Sequence, residues 1–160
     1  MIDITAGCNQ WCGLAAVFAV ASIFTTLNAC GGKAVAALRA ALNTNQREVY
    51  DGIASSRLNI YIMGLCLGFI LAIGFVVMKS RTGQPLVSLI SLCQLISISQ
   101  TVVYLYYMLA PKPELMVVSL ANERQREKWA VAYRSMQFRY YSAFLLSAVS
   151  VGSAGYLACK

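Results

Sequence analysis

The 160-residue sequence contains no histidine. That removes haem ligation by imidazole, histidine-based catalytic triads and most zinc and copper sites together. Charge is also scarce, at 12% of residues where soluble domains carry about 25%. No close Cys-x-x-Cys pair occurs: the nearest approach is CNQWC at Cys8 to Cys12, one residue too long for a dithiol active site. A basic leader is missing as well, with only Asp3 ahead of the first apolar run, so that run reads as a retained helix and not a cleaved signal.

What the chain has in excess is apolar surface. Hydrophobic residues make up 59% of it and mean hydropathy is +0.63, more than a core of this size can hide. Four segments are long enough to cross a bilayer, roughly 11–30, 59–78, 88–110 and 140–159, and none has a charge inside it. Backbone groups in lipid must be satisfied within their own segment, so these are expected to be helices. The expected fold is all-α: one integral membrane domain over 1–160, with four transmembrane helices arranged as two helical hairpins and amphipathic helical connections at 31–58 and 111–139.

Charge asymmetry orients it. Lys79, Arg81 and Lys160 fall on one side, against Lys33, Arg39, Arg47, Arg57, Lys112, Arg124, Arg126, Lys128, Arg134 and Arg139 on the other. The positive-inside rule therefore puts both long connections in the cytosol. Tyr61, Tyr104, Tyr106, Tyr107, Tyr140 and Tyr141 lie at the same ends of the spans, the pattern of an aromatic belt; a tyrosine-lined catalytic pocket is the sharper alternative. The net charge of +7 suits an anionic lipid surface better than nucleic acid, because no basic arm stands clear of the membrane.

Two stretches resemble each other at a separation of 79 residues: NQREVY from Asn45 and RQREKW from Arg124. Asn45 with Glu48, and Asn122 with Gln125, have the spacing of a capping box, so each copy is expected to open a helix running toward the next span. Trp129, Tyr133, Met136 and Tyr140 share one side of the second helix, facing lipid, the first connection or another protein. Arg47, Tyr50, Arg124, Arg126, Lys128, Trp129 and Tyr133 are the candidate protein-contact residues. Glu48 and Glu127 each follow an arginine, and no nucleophile or metal set accompanies them, so ion pairing is expected of them and not acid–base chemistry.

Within the spans, Gly64, Gly68 and Ala72 form a small-residue face for close helix approach, and Ala148 with Gly152 repeats the device. Ser91, Gln94, Ser97 and Thr101 make a polar seam expected to face the bundle interior; transport would be its functional reading, but no ionisable residue lies at membrane depth. Among the cysteines, Cys12 with Cys159, or Cys8 with Cys12, could form a disulfide on an oxidising side, while Cys30, Cys66 and Cys93 read as apolar packing residues.

The run YYMLAPKPELMVVSLANERQREKWAVAYRSMQFRYY, from Tyr106 to Tyr141, resembles a family of small multi-span membrane proteins encoded by nucleocytoplasmic large DNA viruses, including those of algae and amoebae. The features that carry it are Tyr107 to Lys112, Gln125-Arg126-Glu127, Trp129 and Tyr133-Arg134 with Met136-Gln137; Gln46 to Gly64, with Arg57 and Ile60-Tyr61, looks like a second shared block. The resemblance covers about the last two thirds of the chain. It implies a minor structural protein of the internal virion membrane, derived from host endomembrane, under an icosahedral capsid; with the connections on the cytosolic side, their basic and aromatic residues are expected to tether the capsid shell to the bilayer. On that reading the chain is not an enzyme and has no cofactor. Its partners are the lipid bilayer and capsid or other virion proteins, with a homo-oligomer left open and no specific nucleic acid. An accessory subunit or assembly factor of a cellular membrane complex is the alternative, then a small transporter.

Overall fold

The computed structural model describes residues 4–81, 89–112, 116, 120 and 122–158; for 4–9, 89–90 and 155–158 it describes the backbone alone. Among these residues there is no strand, and five helices follow in order: α1 (Ile4–Leu27), α2 (Lys33–Ala41), α3 (Thr44–Ser80), α4 (Leu89–Leu109) and α5 (Glu123–Ala158). The fold is all-helical. Three helices are long and apolar enough to cross a membrane: α1 from Gln10 to Leu27, α3, and α4 from Ser91 to Leu109.

α3 and α5 contain 37 and 36 residues, and α5 begins 79 positions after α3. At 1.5 Å per residue each is about 55 Å long, well beyond the roughly 30 Å of a hydrocarbon core. Their charges are confined accordingly: after Arg57 the next in α3 is Lys79, and after Arg139 α5 carries none. Each is thus one continuous rod, with a polar first part and an apolar remainder.

The α3 cap is a capping box two residues earlier than the sequence spacing suggested. Asn43, not Asn45, is the N-cap, and its backbone N–H donates to Gln46 Oε1 at 3.1 Å. Glu48 is left exposed on the helix surface. Asn122 does stand at the start of α5, its carbonyl accepting from the backbone N–H groups of Gln125 and Arg126 at 3.0 and 3.1 Å. The Gln125 side chain, however, does not turn back to Asn122.

Helix packing follows the small residues. α3 packs on α4 and α1 on α5, while α4 also touches α5 and α1. α1 and α3 do not form one of these packed pairs. Along α3 the buried face is Gly64, Gly68 and Ala72. A Cβ on Gly64 would meet the Tyr106 ring at 3.0 Å, and one on Gly68 would meet the Ser99 carbonyl oxygen at 2.8 Å. Only glycine allows the backbones so close.

On α5 the expected Ala148 and Gly152 face is wrong in phase. Both are exposed, and nothing lies within 4 Å of a Cβ built on Gly152. The packed face is Ala143, Ser147, Ser150 and Ala154. Its serines select it: Ser150 Oγ donates to Ala15 O at 2.7 Å, and on the facing helix Ser22 Oγ donates to Ala143 O at 2.9 Å. Each hydroxyl is thereby satisfied in a dry interface, and a matched reciprocal pair crosses between antiparallel helices.

The polar seam of α4 is likewise rotated. Ser91 is buried, but Thr101 is exposed and bonds its own helix at Ser97 O. The deeply buried positions are Ser99 and Gln100, and Gln100 Oε1 accepts from Ser147 Oγ at 3.0 Å. Gln94 lies at the edge and accepts from Lys79 Nζ at 3.2 Å.

Cys12 is bonded to Cys93, whose Cα lies 5.7 Å away, in a buried cluster with Ala15 and Ala154. The pairing replaces both expected alternatives, because Cys12 has only one sulfur to give. The Cys8 side chain and Cys159 lie outside the described residues. Cys93, read from sequence as packing, is the partner that a helix crossing brought within reach; Cys30 and Cys66 are free thiols.

These contacts disclose an order that the element list hides. α1 and α4 run parallel, joined at Cys12–Cys93, and α3 and α5 run parallel to each other and opposite to them. Exchanging the halves 79 residues apart turns the α1–α5 pair into the α4–α3 pair, as a two-fold axis along the helices would.

Candidate functional site

The polar ends of α3 and α5 meet, and the two copies of the repeated motif meet there position for position. Gln125 Nε2 donates to Gln46 Oε1 at 3.0 Å, and Gln46 Nε2 donates back to Gln125 Oε1 at 3.3 Å. Gln125 Nε2 also reaches Ala41 O at 3.0 Å, which ties down the C-terminal end of α2. One turn on, the Tyr50 and Trp129 rings meet edge to face, with centroids 6.4 Å apart and an interplanar angle of 82°. Both pairs are separated by 79 residues, the offset of the repeat.

The arginines of the motif serve equivalent roles. Arg47 Nε donates to Leu42 O at 3.1 Å and to Arg39 O at 2.8 Å; Arg126 Nε donates to Leu120 O at 3.2 Å. Each guanidinium satisfies carbonyls of the connection that enters its own helix. The glutamates, Glu48 and Glu127, remain exposed. Glutamine joins the copies, arginine pins each entry and the ring fills the core between them.

Around this centre Val35, Leu38, Leu42, Met116, Leu120, Ala132 and Met136 form a hydrophobic cluster with Tyr50 and Trp129. Leu38, Met116 and Leu120 are among the most completely buried side chains. Trp129 and Tyr50 are therefore not contacts for another protein as they stand, which corrects their assignment as surface candidates. Two large rings gain more from burial against each other than from display, and their partners lie within this chain. Tyr133 is half-buried, stacked on Trp129 at 5.8 Å.

What remains outward is basic. Arg124, Arg126 and Arg134 are exposed and Lys128 is half-buried. Arg124 and Lys128 line a shallow cleft of about 260 Å³ between α2 and α5. Arg39 pairs with Asp51, so that cation is locally neutralised, and its guanidinium lies 5.4 Å from the Tyr50 ring centroid. Arg139 reaches back to the end of α1, donating to Asn28 O at 2.6 Å and to Gly31 O. Gly32 follows with φ of 131°, and a Cβ there would lie 2.8 Å from the Arg139 guanidinium. Glycine is required at that position both for its backbone angle and for room.

Beneath this head the tyrosines divide. Tyr141 is 65% exposed and Tyr104 faces outward against Phe144, as a belt would have them. Tyr61, Tyr107 and Tyr140 instead turn inward. With Thr26 they line the junction of a polar cavity of about 280 Å³ and an open apolar groove of about 270 Å³. The inward tyrosines thus line a cavity, and among the described residues no cluster of histidine, cysteine, aspartate or glutamate able to hold a metal accompanies it.

Below the head the surface is apolar. Val17, Val20 and Phe24 of α1, Ile70 of α3 and Leu145 of α5 are all more than 60% exposed. A contiguous apolar exterior of this kind is normal against lipid and a liability in water. Fold and surface thus define a class: an all-helical protein with long apolar helices suited to a bilayer, carrying an internally paired polar head. No family model, curated protein or solved structure matches the chain.

Proposed function

We propose that the chain is a four-span structural membrane protein whose basic head tethers a protein shell, of the kind formed by a viral capsid, to the bilayer beneath it. The observation that carries the reading is the overrun of α3 and α5. Both rods continue past the thickness of a bilayer at the same end, and the paired glutamines and rings lock those ends together. A stiff projection is what a spacer between two layers needs, because a flexible one transmits neither distance nor orientation.

Four crossings, as two hairpins α1/α3 and α4/α5, fit the alternation of helix directions along the chain, with the apolar part of α5 as the fourth span. The charge asymmetry supports a cytosolic head. In a virus whose inner membrane comes from host endomembrane, that leaflet faces the shell, so Arg124, Arg126 and Lys128 would meet capsid protein. The reading is tested by protease mapping of purified particles. Cleavage within 111–139 should require removal of the shell, and Arg124→Glu with Lys128→Glu should abolish crosslinking to the shell while the chain stays in the membrane. Cleavage of that connection only after the membrane itself is opened would place the head toward the virion core and end the tether model.

A further inference from the structure

Three cavities meet at one pair of side chains. Tyr107 and Tyr140, stacked with centroids 6.1 Å apart, line the polar cavity of about 280 Å³, the apolar groove of about 270 Å³ and a third cavity of about 470 Å³. The groove runs between α4 and α5, past Val103, Met108 and Phe144, and reaches the surface at Met108 and Phe144, which are exposed. The other two cavities lie toward the head and share Arg57.

Charge distinguishes the two ends. The polar side holds one carboxylate, Asp51, and Arg39 already pairs with it. Among the described residues Arg57 has no carboxylate partner, and its Nε is buried without a hydrogen-bond acceptor. A buried guanidinium donor left open is costly unless an acceptor fills the site. Lys112 lines the third cavity with its ammonium 5.3 Å from the Tyr107 ring centroid. Among the described residues neither cation has a carboxylate partner, so two cations and the phenols stand toward the head, and the apolar groove lies below them.

We propose that this cleft binds one anionic phospholipid, its phosphate at Arg57 and Lys112 and an acyl chain in the α4–α5 groove. Arg57 precedes the apolar part of α3, and Tyr107 and Tyr140 lie at the corresponding ends of α4 and the α5 apolar segment, the depth at which headgroup phosphates sit. Basic pockets between membrane helices select anionic headgroups in this way, and a guanidinium offers phosphate paired, charge-assisted donors. The groove argues for a lipid over a free anion, since inorganic phosphate has nothing to place there. The proposal rests on the membrane reading and not on the tether.

The test uses the full chain reconstituted in phosphatidylcholine vesicles, with Phe144→Trp as a reporter in the groove and carbonate extraction as the check on insertion. Brominated phosphatidylglycerol at a few per cent should quench the new tryptophan at least tenfold more effectively than brominated phosphatidylcholine. Arg57→Gln should remove that preference, Arg57→Lys should restore part of it, and Arg124→Gln should leave it intact. Inorganic phosphate at millimolar concentration should not compete. Equal quenching by both lipids, or an Arg57→Gln chain that folds and keeps the preference, overturns the site; full competition by inorganic phosphate reassigns it to a free anion and overturns the lipid. If Arg57→Gln does not fold, the preference in the reporter chain and its loss in Lys112→Gln decide the matter. A chain released by carbonate would refute the membrane reading itself, an outcome separate from loss of lipid selectivity.

Discussion

The reciprocal glutamine pair can be tested by a double-mutant cycle with leucine, which keeps side-chain volume while removing every polar atom. Gln125→Leu deletes both bonds to Gln46 and the bond to Ala41 O. Two groups lose a partner, the Ala41 carbonyl and the Gln46 side chain, whose Oε1 still accepts from the Asn43 N–H. At about 1–3 kcal/mol for each desolvated group, and with Gln46 only half-buried so that water reaches part of it, the expected loss is about 2–4 kcal/mol. Gln46→Leu removes the acceptor for the Asn43 backbone N–H as well, a capping contribution of about 1 kcal/mol, and leaves Gln125 still bonded to Ala41, for a total near 2–3 kcal/mol. In the double variant neither glutamine strands the other. It should therefore be less destabilised than the sum of the singles by about 1–2 kcal/mol. The assay is reversible unfolding in mixed micelles of increasing SDS fraction, followed by far-UV circular dichroism. Additivity within about 0.5 kcal/mol would show that the two amides do not meet, and would remove the main support for the repeat as a paired device.

Other substitutions probe the remaining contacts. Gly68→Ala should cost about 1–3 kcal/mol in the same assay, because its Cβ would meet the backbone of Ser99 and α3 must move away from α4; Gly152→Ala, with open space around it, should be neutral or stabilising by up to about 1 kcal/mol. Trp129→Ala should cost about 3–5 kcal/mol and Trp129→Phe clearly less, and equal losses would mean that the ring is not in the core. On non-reducing gels, Cys12→Ser and Cys93→Ser should each abolish the same mobility difference from the reduced chain, whereas Cys30→Ser and Cys66→Ser should not. Chain entropy for a separation of 81 residues sets an upper bound of about 4–5 kcal/mol on that crosslink, reduced where lipid already holds the helices.

Long-range composition was the most legible level of this chain. Apolar runs without charge announced helices of membrane length, and the 79-residue echo marked where two of them start. Phase was harder to read. Small size alone makes Ala148 and Gly152 resemble a packing face, whereas the buried side of α5 is chosen by Ser147 and Ser150, which need acceptors across the interface. The same reasoning explains Gln100 on α4 over Thr101, since threonine can satisfy itself on its own helix at Ser97 and the longer glutamine cannot. For Trp129, amphipathic spacing says which residues share a side and not which of lipid, the first connection or another protein covers it; here the first connection does, through Tyr50, Val35 and Leu38. The repeat offered a usable signal: equal motifs on parallel rods of equal length meet in register, which puts Gln46 on Gln125 and Tyr50 on Trp129. No spacing rule brings Cys12 to Cys93, which depends on how α1 crosses α4.

The exchanged pairing of α1 with α5 and α3 with α4 has a consequence for biogenesis. Neither of the first two long helices finds its main partner in the other, so in a membrane α3 must wait for α4 and α1 must wait for α5. The Ser150 that accepts its place against Ala15 is synthesised 70 residues after Ser80 ends α3. At 5–20 residues per second that interval is roughly 4–14 s. For that time the face of α1 that α5 will cover is open to any other helix nearby, whereas the glycine face of α3 is covered sooner, by Ser99 and Tyr106 of α4, and a second nascent copy of this chain offers α1 the complementary surface. Correct assembly is then a matter of timing as much as of fit, and slowed translation of the second half should raise the yield of interchain pairs.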